Sequence, residues 1–315
     1  MRLNTIFASL MTALALTNAS FSAPLYTEKF NVDNSANWTV NDPALSDIIA
    51  DFSYDYSAIG VPAAPGSSLT RGLKMTANNT GGVFSGFSVS PTGQSFSGNY
   101  RVMFDMWQNY AGPVGVGGSG TTQLSTYGIG TSGTTAFWPG AAVKESVAFG
   151  TTLDGGSAND VRAYSSAAPT SYPSGNAVYA PATSNNNSNV YYAGYTPQSA
   201  PAAQVLLFPG QTGATDPGET SFKWRKVVID VSGGFATWTI DGLQLAQVDL
   251  STVTLGGGNI FLGHSDTNAG SSADPNDSLL NVTLIDNLQV VVPEPSSVLL
   301  CLLGMVGLFA ARRRG

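Results

Sequence analysis

The spacing of apolar residues most constrains the fold of this chain, because it repeats every second residue and never settles into a helical period. Within 100–107, Tyr100, Val102, Phe104 and Met106 share one face of an extended strand, and the intervening residues take the other face. Such alternation is typical of strands with one buried side. The chain contains 36 glycines and only 10% charged residues. This composition favours an all-β globule over helices.

The clearest strand pairing is predicted near the end of the chain. Two alternating runs, 224–231 and 235–240, flank Ser232-Gly233-Gly234, which is the chemistry of a tight hairpin turn. The same alternation predicts strands at 25–32, 38–40, 48–56, 72–77, 83–89, 100–107, 147–152, 161–165, 243–248, 259–264 and 279–292. The stretches 111–140 and 167–201 are predicted to be mainly irregular. No internal repeat of 20 to 50 residues is present, which argues against a propeller or a solenoid.

The last part of the body resembles concanavalin A-like, laminin-G-type sandwiches. The residues that carry this resemblance are Trp224, Val227, Ile240, Asp241, Gly242, Ile260, Leu262, Gly263, Ile285, Asp286, Asn287, Leu288 and Val290. It implies an all-β fold: a two-sheet antiparallel jelly-roll sandwich with the N- and C-terminal strands near one another. An immunoglobulin-like sandwich fits less well, because about 100 residues suffice for one.

The N-terminal segment 1–22 has the composition of a secretory signal peptide. Arg2 supplies a positive start, and a short apolar stretch and small residues follow. This pattern predicts cleavage by signal peptidase after Ser22, with Ala19 as the alternative.

The C-terminal segment 293–315 has three parts with distinct physical roles. They are Pro293, Glu294 and Pro295 followed by Ser296-Ser297, then an apolar run over 298–311, then Arg312, Arg313 and Arg314. The prolines form a stiff spacer, and the arginines resist translocation. The sixteen residues over 296–311 fall short of the ~20 that span a bilayer comfortably. We therefore expect one hydrophobic helix that is processed in the inner membrane, the alternative being a permanent single-span anchor.

This tripartite tail resembles the PEP-CTERM sorting signal of bacterial surface proteins. The resemblance implies recognition by an exosortase, a membrane cysteine protease, with cleavage near Pro-Glu-Pro. It also implies transient passage through the inner membrane and delivery to the cell envelope, cell surface or extracellular matrix. The predicted organisation is a signal peptide at 1–22, a sandwich domain at 23–292 and a sorting signal at 293–315.

The charge and cysteine content of the exported body narrow its partners. Of 13 Lys and Arg and 20 Asp and Glu, nine cations and nineteen acids remain once Arg2, the tail arginines and Glu294 are set aside. An acidic body argues against nucleic acid and anionic lipid as partners, and it is compatible with calcium and neutral glycans. The single cysteine, Cys301, lies in the tail, so disulfides within the body are excluded.

Aromatic residues in the irregular stretches predict a glycan-binding surface, because an aromatic face matches the apolar face of a sugar ring. The candidates are Trp138, Tyr172, Tyr179, Tyr191, Tyr192 and Tyr195. Extracellular polysaccharide is the expected partner. The alternative is that the tyrosines pack on their own domain.

A polar loop following the 259–264 strand is a candidate calcium site. It offers Asp266, Asn268, Asp274 and Asp277, and calcium accepts carboxylate and amide oxygens. The alternative is turn chemistry, because Asp and Asn side chains bond to their own backbone.

Evidence for an enzyme is lacking in the sequence. Laminarinase-type hydrolases of the resembled fold use Glu-x-Asp-x-x-Glu, and none of Glu28, Glu145 and Glu219 has Asp two residues on. His264 is the only histidine. We expect a non-enzymatic exported protein with a glycan-binding or structural role. The alternatives are a polysaccharide hydrolase with a non-standard aspartate site and a structural protein without a small ligand.

Overall fold

The computed structural model describes residues 23–42, 47–79, 85–113, 123–137, 145–164, 171–267 and 276–293. Within these ranges fourteen strands form. They are β1 Tyr26–Glu28, β2 Trp38–Asn41, β3 Ile48–Asp55, β4 Arg71–Ala77, β5 Ser85–Pro91, β6 Tyr100–Asn109, β7 Gln123–Thr131, β8 Val147–Thr152, β9 Val161–Tyr164, β10 Arg225–Ser232, β11 Phe235–Ile240, β12 Leu243–Asp249, β13 Asn259–Asp266 and β14 Val282–Val291. Two short helices, α1 Ala202–Leu207 and α2 Asp277–Leu280, accompany them.

The described strands form two sheets in which neighbouring strands run antiparallel. One sheet has the order β12-β11-β10-β6-β14-β4-β3, with β1 also paired to β14, and the other has the order β2-β5-β13-β7-β8-β9. The predicted all-β, two-sheet antiparallel fold is confirmed. The expected pairing of the terminal strands is present too, because Tyr26 lies opposite Val290.

The main hydrophobic core lies between the two sheets. Trp238 of the eight-stranded sheet stacks on Phe149 of the six-stranded sheet, with ring centroids 5.1 Å apart, and meets the edge of Tyr127 at 5.8 Å. All three rings are fully buried. Burial of a large apolar side chain stabilises the fold by roughly 1.5–3 kcal/mol, and favourable ring geometry adds to this.

A second apolar cluster covers the outer face of the eight-stranded sheet. Trp224 packs between Tyr56, at 5.2 Å, and Trp107, at 5.8 Å. Its indole nitrogen donates to the carbonyl of Pro62 at 2.7 Å. The segments around Tyr56 and Trp224 therefore act as an outer layer, and this sheet is buried on both faces over much of its area.

Four local expectations differ from the structure. The predicted strand 25–32 is reduced to Tyr26–Glu28. Strand β7 lies within the stretch predicted to be irregular, and α1 was not predicted at all. The predicted strand 279–292 begins only at Val282, because α2 precedes it. In β7 the side chains on one face are small, so the alternation that marks a strand is visible only through Tyr127 and Ile129.

Candidate functional site

A row of small, buried residues, which we call the trough, crosses the outer face of the six-stranded sheet. Its floor is formed by Ser88, Gly263, Thr126 and Gly150, which lie opposite one another on β5, β13, β7 and β8. Their strand neighbours face the main core, so these four residues face outward. A Cβ atom added to Gly263 would lie 2.6 Å from Thr126 Oγ1. The Thr126 side chain therefore occupies the space that a side chain at Gly263 would need.

An aromatic bank borders the trough one register position away. Phe261 of β13 stacks on Phe137, with centroids 4.7 Å apart, and Tyr164 meets Phe137 edge-on at 5.6 Å. Gly128 makes room for this arrangement, because a Cβ atom there would lie 2.6 Å from Phe261 Cε1. The trough thus has a small, polar floor and an apolar side.

Among the residues that the structure describes, two hydroxyl groups at the trough have no hydrogen-bond partner. Thr126 Oγ1 and Ser265 Oγ are both buried and unpaired. An unsatisfied buried polar group costs about 1–3 kcal/mol, and native structures contain few of them.

A second polar site, which we call the acidic pocket, lies where β8 ends and β9 begins. Asn187 joins two buried carboxylates: its backbone N–H donates to Asp160 Oδ2 at 2.9 Å, and its side-chain amide donates to Glu219 Oε1 at 2.8 Å. Thr152 Oγ1 donates to Asp160 at 2.9 Å, and the N–H of Asp216 donates to Glu219 Oε2 at 3.1 Å.

The carboxyl groups of the acidic pocket are hard to ionise. Burial raises the pKa of Glu219 to about 8, and the nearby charges of Asp216, Asp160 and Asp154 add to the effect. Burial also raises the pKa of Asp160, and it raises the pKa of Asp154 to about 6. Glu219 is therefore protonated at neutral pH and can exchange a proton near physiological conditions. The sequence analysis did not assign a site to these residues, because only the fold brings 160, 187 and 219 together.

Three of the predicted glycan-binding tyrosines are core residues. Tyr179, Tyr192 and Tyr195 are 1%, 0% and 3% exposed. The hydroxyl of Tyr179 donates to Tyr172 O at 2.9 Å, and that of Tyr195 donates to Ile240 O at 3.0 Å. Their rings have no free face, so the prediction of a stacking platform is wrong for these three. These tyrosines pack on their own domain, which is the alternative given in the sequence analysis.

The other predicted aromatic contacts are only partly located. Tyr172 and Tyr191 are half-buried against the core, and the Tyr191 hydroxyl donates to Gln244 O at 2.8 Å. Glycan contact at these two residues stays a prediction. Trp138 lies outside the described residues.

The predicted calcium loop is also only partly described. Asp266 belongs to strand β13 instead of a loop, and it is buried and accepts a bond from Asn78 Nδ2 at 2.7 Å. Asp277 begins helix α2, and Asn268 and Asp274 lie outside the described residues. Across the described ranges, no three His, Cys, Asp or Glu side chains gather to hold a metal ion. Calcium binding stays a prediction.

His264 has a structural environment. Its ring nitrogens lie 2.8 Å from Thr283 Oγ1 and 2.8 Å from Gln123 Oε1. Complete burial lowers its pKa to about 3. The imidazole is therefore neutral at physiological pH and belongs to the polar network between the sheets.

Both predicted processing segments lie outside the described residues, apart from Pro293, which is partly buried. In the part of the chain that the structure describes, no helix has the length and apolar character needed to cross a bilayer.

Comparisons with known proteins match the tail to a sorting motif. The model of the PEP-CTERM protein-sorting motif matches residues 291–314. The chain therefore carries a PEP-CTERM sorting motif and is an exported protein of the bacterial cell envelope. No curated protein matches the sequence.

Several solved structures are similar to the body at low identity. One is a Bacillus subtilis protein of unknown function with a galectin-like fold, with 9% identity, 87% of this chain and 97% of that chain covered, and a TM-score of 0.45. Another is a glycoside hydrolase family 16 endo-glucanase from Bacteroides ovatus, with 11% identity, 84% and 99% coverage, and a TM-score of 0.43. A third is the potassium-bound carbohydrate recognition domain of Emp46p, with 10% identity, 84% and 95% coverage, and a TM-score of 0.42. The ligands and activities named for these proteins are theirs.

Proposed function

We propose that the body is a non-enzymatic domain that binds neutral glycan in the trough, at the cell surface or in the extracellular matrix. The observation that carries this proposal is the pair of buried, unpartnered hydroxyls, Thr126 Oγ1 and Ser265 Oγ. They lie beside a floor that includes two glycines and an aromatic bank. Exosortase processing of the tail would deliver the domain to that location.

The chemistry of the trough fits a sugar better than other ligands. A pyranose has hydroxyl groups around its edge, so it can bond to Thr126 and Ser265. Both residues are buried, so binding would require the trough to open. A sequence with a net charge of −7 disfavours anionic polymers, so a neutral polysaccharide is the expected ligand.

The experiment is a glycan array on the mature protein, followed by titration of the best glycan against two matched variants. Thr126→Val removes the trough hydroxyl, and Thr76→Val removes another buried, unpartnered hydroxyl on β4 of the other sheet. One hydrogen bond contributes about 1 kcal/mol, so Thr126→Val should weaken binding at least about fivefold while Thr76→Val leaves it unchanged. Equal affinity of both variants and the wild type would overturn the trough assignment.

A polysaccharide hydrolase is the second candidate, and the acidic pocket is the observation that favours it. Asp160 and Glu219 are buried together, with Glu219 protonated at neutral pH and able to act as a general acid. Release of reducing sugar from the bound glycan, abolished by Glu219→Gln, would support this candidate over the binding protein. A protein that is silent in both assays would have a structural role.

A further inference from the structure

The first and last strands of the described body, β1 and β14, pair with each other. The N–H of Leu25 donates to Val290 O at 2.7 Å, and Tyr26 lies opposite Val290 in the β1–β14 ladder. On the other side of β14, Val291 lies opposite Arg101 of β6. We call these pairings of Val290 and Val291 the last rung. Leu25 and Val291, near the two ends of the described body, therefore lie close together.

The sorting motif begins inside the fold, without a linker. Its match starts at residue 291, which is also the last residue of β14. Val290 and Val291 are 0% and 2% exposed. Pro293 follows only two residues later and is itself partly buried. The residues directly before Pro-Glu-Pro are thus committed to a sheet that they share with β6 and β1.

We propose that the last rung withholds the sorting tail from its protease, so that the tail is cut only in chains whose last rung is open. A protease that binds its substrate as an extended strand needs free backbone N–H and C=O groups. At Val290 and Val291 those groups face paired strands on β1 and β6. Cleavage near Pro293 then follows the population of locally opened chains, as expected when opening is fast relative to cutting.

The order of folding determines when the tail can be processed. Tyr26 and Val290 stand at opposite ends of the body in sequence, so their pairing closes the longest loop in the domain and is expected late. Newly exported chains are open and are processed quickly. Chains in which β1 has already paired with β14 are processed slowly. This inference rests on the sorting motif and is independent of glycan binding.

The experiment locks the last rung with a disulfide in the full chain, produced in a host with its exosortase. The lock is Arg101→Cys with Val291→Cys, because directly opposed strand residues have the Cα spacing that a disulfide needs. The matched control is Thr237→Cys with Gln247→Cys, an opposed pair on β11 and β12 remote from the tail. Both variants carry Cys301→Ser, which leaves only the engineered thiols.

Pulse-chase analysis of precursor and mature protein gives the result. The oxidised lock should slow tail processing at least about tenfold, and a membrane-permeable reductant should restore the rate. The control disulfide should leave the rate at the wild-type value in both redox states. Equal rates for the oxidised and reduced lock would overturn the proposal. A wild-type chain whose tail is never cut would also overturn the proposal, because there would be no processing to control.

A second variant tests the opposite direction without a cross-link. Leu25→Pro deletes the N–H that bonds to Val290 O, at an exposed position that the core does not use. Opening of the last rung becomes easier, so tail processing should accelerate severalfold. Processing of this variant at the wild-type rate or slower would contradict the proposal.

Discussion

At the scale of single residues, two adjacent hydroxyl groups in the described structure differ in their hydrogen bonding. Ser125 and Thr126 are neighbours on β7 and point to opposite faces. The Ser125 hydroxyl lies 2.9 Å from Gln108 Nε2 and 2.6 Å from Thr283 Oγ1, whereas Thr126 Oγ1 has no partner. The Ser125 hydroxyl therefore stabilises the fold. The buried Thr126 hydroxyl lowers stability, and the proposed binding role would explain why it is present.

This contrast predicts opposite effects on stability for two adjacent substitutions. Ser125→Ala should lower the free energy of unfolding by about 1–3 kcal/mol, because it removes two buried hydrogen bonds. Thr126→Val should raise it by up to about 1 kcal/mol, because it removes an unsatisfied buried group. Urea unfolding of the mature protein measures both. A loss of stability in Thr126→Val equal to that in Ser125→Ala would show that the Thr126 hydroxyl is paired in solution.

Glu219 predicts how stability depends on pH. Its pKa is raised from 4.5 to about 8 in the folded chain, so the folded chain binds this proton more tightly than the unfolded chain does. The free energy of unfolding should therefore fall as pH rises between these values. Asp154, with a pKa of about 6, contributes mainly below pH 6.

The fall between pH 6 and pH 8 should amount to about 2 kcal/mol in the wild type. Glu219→Gln cannot ionise and should remove most of that fall. Urea unfolding at pH 6, 7 and 8 measures both slopes. A Glu219→Gln profile as steep as that of the wild type would mean that another group titrates.

At the scale of elements, β7 shows why one central strand escaped the sequence analysis. Gly128 lies in a position where a Cβ atom would be 2.2 Å from Val147 O and 2.6 Å from Phe261 Cε1. Close strand contacts and the aromatic bank both require that position to be empty. The glycine that weakens the strand pattern in sequence is therefore the one that lets the strand pack.

Gly128→Ala should accordingly destabilise the domain strongly, by about 3 kcal/mol or more, because the nearest atom is the backbone oxygen of Val147. Gly156→Ala is the matched control, since its nearest neighbour would be 3.5 Å away on the Asp154 side chain. That control should change stability by less than about 0.5 kcal/mol. Thermal unfolding compares the two, and equal midpoints would contradict the packing of β7 described above.

Features set by neighbouring residues could be predicted from the sequence, whereas features set by residues far apart in the chain could not. The β10–β11 hairpin follows from local alternation and the Gly233-Gly234 turn, and the paired sheets follow from the same alternation repeated along the body. The trough does not, because Ser88, Thr126 and Gly263 are ordinary residues until four strands align them. The local sequence also could not show that the Tyr179 ring is buried in the main core.

At the scale of the whole molecule, the start of the sorting motif and the proposed glycan site lie in different sheets of one sandwich. The last rung joins β14 to β1 and β6, and the match to the sorting motif starts at Val291. The trough occupies the outer face of the other sheet. The proposed glycan site is therefore separate from the start of the sorting motif.

The most direct test of the glycan-binding account is an NMR titration of the mature protein with the best glycan from the array, followed through backbone amide shifts. The account predicts that the largest changes fall in β7 and β13, over 123–131 and 259–266, with small changes in the acidic pocket. Changes concentrated at 152–160, 187 and 216–220, or no changes at any glycan concentration, would contradict it.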